Sequence, residues 1–297
     1  MDYYKEIKNK LIDNEIYAKV KDYSKERNKV LTYFETGKLL SEAGSVYGED
    51  IIGQYAKKLV IEVGKKYNKR TLFRMRQFYN VFSDEKVSPL VSLLNWSHCL
   101  LLMPLKDVDI IKYYANQVKF RNLTKRQLQE AIKNKEYERL PIETKEKLIR
   151  KDNESNITDY IKDPIIIKNK NNYDSISEKV LQKIIMEDIP SFLKELGEGF
   201  TFIENEYKIK IGNSYNYIDL LLFNYIYNAF VVIELKVTEL KKEHIGQIEV
   251  YMNYINKNIK KEIHNKTIGL IIVRKNNKFV LEYSSDKRIE VKEYIII

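Results

Sequence analysis

The chain has 297 residues, 44% hydrophobic and 32% charged, enough for one large domain or two ordinary ones that each bury a core; two are expected. No run approaches the roughly 20 apolar residues of a membrane span, and the first residues, "MDYYKEIKNKLIDNEIYAKV", lack the apolar core of a signal peptide, so a cytoplasmic protein is expected. The net charge of +10 is uneven: residues 1–150 hold 30 Lys+Arg against 20 Asp+Glu and the rest hold 22 against 22, which points to a polyanionic partner, nucleic acid ahead of membrane.

The first 150 residues read as helical. Apolar residues recur at three- and four-residue spacing through "DIIGQYAKKLVIEVGKKY" and again through "TLFRMRQFYNVF". Gly64 and Asn68 supply a break and a cap between the two. Between them, "KKYNKRTLFRMR" carries Lys65, Lys66, Lys69, Arg70, Arg74 and Arg76 with no acid. On a helix Arg70, Arg74 and Gln77 share one face and Leu72, Met75 and Tyr79 another. A helix, a break and a basic helix have the outline of a helix-turn-helix, and these six cations are the candidate nucleic-acid contacts, to a groove or to phosphates alone. Further helices are expected around "LLNWSHCLLLMPL" and over "LTKRQLQEAIKNKEYERL", the latter capped by Thr124. Within the former, Trp96 is expected to pack, Ser97 to cap a helix, and His98 to sit in the core with its ring nitrogens satisfied locally.

From about residue 150 the composition turns polar and Asn-rich, through "KDNESNITDYIKDP" and "KNKNNYDS". A linker over about 150–176 is expected, with the domain boundary near residue 155. Then "ISEKVLQKIIMEDIPSFLKEL" reads as a helix that buries Ile184, Ile185, Phe192 and Leu196. "GFTFIENEYKIKI", "YIDLLLF" and "AFVVIELKV" read as strands, "EHIGQIEVYMNYINKNI" as a helix and "TIGLIIVR" as a strand. That order describes an α/β sheet domain whose most apolar strands are central and covered on both faces.

Asp219, Glu234 and Lys236 lie inside the two most apolar strands, where an unpaired charge is costly. A turn over "NYIYNA" makes Asp219 and Glu234 equidistant from its centre, so they should face each other across an antiparallel pair, with Cβ atoms about 5 Å apart. Lys236 follows Glu234 by the strand period of two and shares its face. Two acids and an amine in this setting suit metal-assisted phosphodiester hydrolysis: carboxylate oxygens hold a divalent cation, the Leu235 carbonyl can complete its shell, and the lysine positions water and offsets developing charge. With Cys99 the only cysteine and His98, His244 and His264 the only histidines, widely spaced, an oxygen-ligated ion such as Mg2+ or Mn2+ is expected rather than zinc. A structural salt bridge would account for Glu234 and Lys236 but would have no need of Asp219.

Asp219, Glu234-Leu235-Lys236 and then Gln247-x-x-x-Tyr251 on the next helix resemble the PD-(D/E)XK nuclease superfamily. More closely, "FLKELGEGFTFIENEYKIKI", "YIDLLLF", "VVIELKV" and "GQIEVYMNYI" resemble the C-terminal half of the YhcG-type (DUF1016) family, and "TLFRMRQFYNVF", "LLNWSHCLLL" and "IKDP" resemble its helical half and inter-domain signature. The resemblance runs from about residue 20 to 260. It implies a helical N-terminal domain over residues 1–150 for nucleic-acid binding or assembly. A restriction-endonuclease-like α/β domain with a central mixed sheet would follow over 151–297, with Asp219, Glu234 and Lys236 in the catalytic positions. It further implies that Glu178, which could otherwise be a first-turn residue favoured by the helix dipole, joins the metal site. Gln247 and Tyr251, one helical turn apart, would support the site. Ile218 stands where the superfamily motif has Pro, and Glu206 where relatives carry Gln, which puts another acid near the site.

The expected function is a metal-dependent nuclease, with DNA favoured over RNA as substrate. The alternative is a nucleic-acid-binding or assembly module whose nuclease fold is weak or partner-dependent. A homodimer is expected if both strands of a duplex are cut, since that needs two sites.

Overall fold

The computed structural model describes residues 2–19, 24–48, 50–84, 88–150, 157–282 and 286–297. Its contacts divide the chain into two compact units, Met1–Tyr137 and Glu138–Ile297. The boundary expected near residue 155 lies outside the described residues.

The first unit is helical: α1 (Tyr3–Lys19), α2 (Lys25–Tyr47), α3 (Asp50–Glu62), α4 (Lys69–Phe82), a 3₁₀ turn at Ser88–Leu93, α5 (Trp96–Leu102), α6 (Val108–Arg121) and α7 (Lys125–Lys133). The helix starts follow side-chain chemistry. Asn68 accepts from the Thr71 N–H at the head of α4, and Thr124 with Gln127 closes a capping box on α7. The amphipathic spacing of α4 buries Leu72, Met75, Phe78 and Phe82. At α5 the cap is Asn95, whose carboxamide oxygen accepts from the His98 N–H, and not Ser97, which lies inside the first turn and donates to Asn95. Asn95 wins because it holds the extended backbone that an N-cap requires. Trp96 packs edge-on against Tyr33 and Phe78.

The second unit opens with α8 (Ile142–Arg150) and a 3₁₀ turn at Ile157–Tyr160. The segment expected as a linker instead carries β1 (Ile165–Ile167), which pairs in parallel with the last strand. Ile157, Ile161, Ile165 and Ile167 enter the core, and Glu195 accepts from the Ile166 N–H. Two polar loops flanking three apolar residues hid this strand, because three residues carry no period. The long helix expected next is two, α9 (Glu178–Glu187) and α10 (Ile189–Leu196). Asp188 leaves helical geometry between them, and Pro190 is tolerated because it falls in the first turn of the second helix.

There follow β2 (Phe200–Ile211), β3 (Ser214–Asn224), β4 (Ala229–Glu239), α11 (Lys242–Asn258), β5 (Ile268–Lys275), α12 (Lys278–Glu282) and β6 (Ile289–Ile296). They form a six-stranded mixed sheet in the order β1-β6-β5-β4-β3-β2. Strands β2, β3 and β4 run antiparallel in sequence, whereas β4, β5, β6 and β1 are parallel. One face packs on α9 and α10 through Leu181, Ile184, Ile185, Phe192 and Leu196, the other on α11 through Ile248, Met252 and Ile255. Burial on both faces explains why β4 and β5 are nearly continuous apolar runs.

Candidate active site

The hairpin β3–β4 turns at Tyr225–Asn228, with Asn224 opposite Ala229 and the ladder running back to Leu220 opposite Ile233. One further step places Asp219 opposite Glu234, and there the backbone ladder stops. The Leu235 N–H instead donates to Asp219 Oδ2 at 2.7 Å. On the other side of β3, the pairing with β2 skips the position between Asn205↔Leu220 and Tyr207↔Ile218, where Glu206 has a left-handed backbone with φ of 49°. The Asp219 carbonyl is taken up by Gln182 of α9, whose amide donates to it at 3.0 Å. The strands therefore part at the acid, and side chains satisfy the backbone groups released.

Glu234 is 1% exposed and Lys236 9%. Lys236 Nζ stands 3.3 Å from Glu234 Oε2 and 3.7 Å from Glu178 Oε2. Glu234 Oε1 is buried without a hydrogen-bond partner. Burial pushes the Glu234 carboxyl up to about 8, with Asp219 adding to the rise and Lys236 opposing it. Burial also raises Asp219, against the pull of the Leu235 N–H and of Lys236, while Glu178 and Glu206 raise it further. For Lys236, burial works against the charge, but Glu234, Glu178 and Asp219 more than restore it, leaving its pKa above the ordinary lysine value. Two acids that resist ionising together beside a firmly charged amine make a site short of positive charge.

Asp219, Glu234, Lys236 and Glu178 thus come together from β3, β4 and α9. Gln247 and Tyr251, one turn apart on α11, bind each other, Gln247 Nε2 donating to the Tyr251 hydroxyl at 3.2 Å. Tyr251 is raised first by burial and, in smaller part, by Glu234. Among the described residues no group of three or more His, Cys, Asp and Glu side chains is arranged to hold a metal ion, so Glu178 faces Lys236 rather than completing an acidic cage.

Two residues at the site escaped the sequence reading. Gln182 lies one helical turn after Glu178, a spacing that placed both on one face of α9. His244 sits in the first turn of α11, its Nδ1 accepting from the Lys241 N–H. Burial lowers its pKa, and Lys236 and Glu178 act on it in opposite senses, which puts it in the electrostatic field of the site.

The six candidate contact cations of the first unit are dispersed along the turn and α4. Lys65, Lys66, Lys69 and Arg70 are exposed, whereas Arg74 and Arg76 are half-buried. Lys66 is engaged by Glu15 at 2.5 Å, and Lys69 lies over the Phe73 ring. His98 is buried with Nε2 3.5 Å from Asn95 Nδ2, but its Nδ1 has no hydrogen-bond partner, so the local satisfaction expected for the ring holds for one nitrogen.

Two family models match the chain: the DUF1016 N-terminal domain over residues 11–139 and the YhcG PDDEXK nuclease domain over residues 158–297. Among curated proteins, "Putative nuclease YhcG" of Escherichia coli (strain K12) is 22% identical over 282 residues, covering 81% of this chain and 75% of the relative. Among solved structures, a repair endonuclease from Pyrococcus abyssi shares 18% identity over 42% of this chain and 49% of its own, with a TM-score of 0.29. A complex of EndoMS with double-stranded DNA shares 19% over 42% and 48%, also at 0.29. The match spans about half the length of each solved chain, and at those TM-scores it adds nothing to the fold described above.

Proposed function

The chain belongs to the YhcG-type (DUF1016) family, whose C-terminal part is a PDDEXK nuclease domain, and on that premise we propose that it hydrolyses phosphodiester bonds of nucleic acid, DNA ahead of RNA, at Asp219, Glu234 and Lys236 with Mg2+ or Mn2+. The observation that carries the reading is Glu234: a carboxylate 1% exposed, one oxygen unpartnered, set against a second acid and a charged lysine in the middle of a sheet. A structural ion pair would leave neither an orphaned oxygen nor a neighbouring acid that resists ionisation.

The residues fit a hard divalent cation. Mg2+ sites use one or two protein carboxylates and leave the remaining positions to water and substrate phosphate, so a pair of acids without a third is the appropriate donor set. Asp219, Glu234 and the Leu235 carbonyl would hold the ion, with Glu178 beside Lys236 at the edge of the site. When bound, such an ion polarises the scissile phosphate and offsets charge on the leaving oxygen.

The protein's own groups supply the rest. The Leu235 N–H and Gln182 fix Asp219 at its carboxylate and its carbonyl, so the acid is positioned before substrate arrives. Lys236, held charged by three carboxylates, orients the attacking water and stabilises charge that builds on the phosphorus-bound oxygens. Gln247 and Tyr251 close the α11 side. Exposed Lys65, Lys69 and Arg70 of the first unit supply phosphate contacts. Cutting both strands of a duplex would take two copies of the chain.

The test is cleavage of labelled single- and double-stranded DNA and RNA with Mg2+ or Mn2+, comparing wild type with Glu234→Ala and Lys236→Met. Metal-dependent cleavage that drops at least about 100-fold in both variants is the expected result. Undiminished cleavage by Glu234→Ala would sink the assignment. Salt-sensitive binding by every protein with turnover by none would assign the chain a binding or assembly role.

A further inference from the structure

From Asp219 outward, β3 leaves β4 and continues with β2 as a two-stranded ribbon, Tyr207–Ile211 against Ser214–Ile218. The two faces of this ribbon differ sharply. One packs Ile209 and Ile218 into the core with Ile248, Met252 and Ile255 of α11, and Tyr207 lies against the same cluster. The other presents two directly opposed pairs, Lys208↔Tyr217 and Lys210↔Tyr215. Tyr215 is 57% exposed and Tyr217 52%. Lys208 Nζ lies 4.0 Å from the centre of the Tyr215 ring and Lys210 Nζ 6.0 Å from it. Among the described residues neither lysine has a carboxylate within ion-pair distance.

We propose that this face is a track for a single nucleic-acid strand running to or from the site, with Tyr215 and Tyr217 stacking on bases and Lys208 and Lys210 meeting phosphates. The inference rests on the reading that the chain acts on nucleic acid. Tyr217 and Tyr215 stand about 7 and 14 Å along β3 from Asp219. Alternating aromatic rings and unpaired cations is the chemistry of strand binding without sequence readout. A duplex keeps its bases stacked on one another and cannot offer them to these rings, which favours single-stranded or unwound substrate. The cation–π contacts of Lys208 and Lys210 hold the Tyr215 ring in place beforehand.

Lysines on an outer strand also serve another purpose, since they deter pairing of one sheet edge with another. Binding measured by anisotropy without divalent cation separates the two, and it leaves catalysis out of the result. The probes are a fluorescein-labelled thymidine oligonucleotide and a labelled mixed-sequence duplex. Tyr215→Ala and Tyr217→Ala should each weaken the single strand on the order of tenfold and the duplex far less. Tyr215→Phe and Tyr217→Phe should restore binding, which a general loss of folding would not allow. Lys208→Gln with Lys210→Gln should flatten the slope of log affinity against log salt by about 0.7 per lysine. Equal weakening of strand and duplex, unchanged affinity in the tyrosine variants, or no binding of the single strand by wild type overturns the proposal. So does greater self-association of the lysine variants with affinity unchanged, which would assign these residues to edge protection.

Discussion

Glu234 combines burial, a neighbouring acid and an amine, and each leaves a measurable mark. Its carboxyl loses a proton near 4.5 in the unfolded chain and near 8 in the folded, metal-free protein. Between those values the folded state binds more protons, so stability should fall as pH rises from about 5 to 8 and level off above. Melting temperatures in EDTA across that range should show the decline for wild type and a flatter profile for Glu234→Gln; parallel profiles would refute the assignment. Mg2+ should raise the wild-type melting temperature more at pH 8 than at pH 6, because cation and proton compete for the same oxygens. Cys99 gives a simpler test at the same scale. It is fully buried, and burial pushes its thiol up to about 12. A thiol reagent at pH 8 should leave it unmodified until denaturant is added.

At the scale of elements, α2 passes close against α4 at Gly37. A Cβ built on Gly37 would lie 2.1 Å from the Met75 carbonyl oxygen and 2.8 Å from Tyr79 Cβ. Backbone, not a flexible side chain, blocks it, so Gly37→Ala must push the helices apart. An overpacked core costs about 1–3 kcal/mol, and this contact belongs at or above the upper end. Urea unfolding of the full chain should show a fall of that size in midpoint stability; a change under about 0.5 kcal/mol would mean the crossing is looser than described. The α7 capping box is a milder element-level feature, and Thr124→Ala should cost about 1 kcal/mol.

For the molecule as a whole, the excess of cations in residues 1–150 should set the salt dependence of nucleic-acid binding. Substituting exposed Lys65, Lys69 or Arg70 with Gln should each reduce the salt slope by roughly 1 and weaken all sequences alike. Lys66→Gln should do less, because Glu15 already engages that ammonium. Sequence-selective losses at Arg70 would instead point to a groove contact. Among the described residues no helix is long and apolar enough to cross a membrane.

Much of this was legible without coordinates. Chain order and period identified strands β2 to β5, helix α11 and the helical first half, because each long element repeats its apolar pattern often enough to declare its type. The turn arithmetic placed Asp219 opposite Glu234, and the ladder from Leu220↔Ile233 to Asn224↔Ala229 has that register. What the linear pattern could not carry was short or non-local. Strand β1 has three residues and exists because β6 offers it an edge more than 120 positions later. The division of α9 from α10 depends on one residue, Asp188, leaving helical geometry. The parting of β3 from β4 at Asp219, with Gln182 and the Leu235 N–H taking up the freed groups, is a property of three elements at once. So is the state of Glu234, whose raised pKa comes from burial and from charges on other strands. Residue type and period are local quantities and can be read along a chain; desolvation and hydrogen-bond satisfaction depend on what folding brings alongside, and the tertiary structure alone decides them.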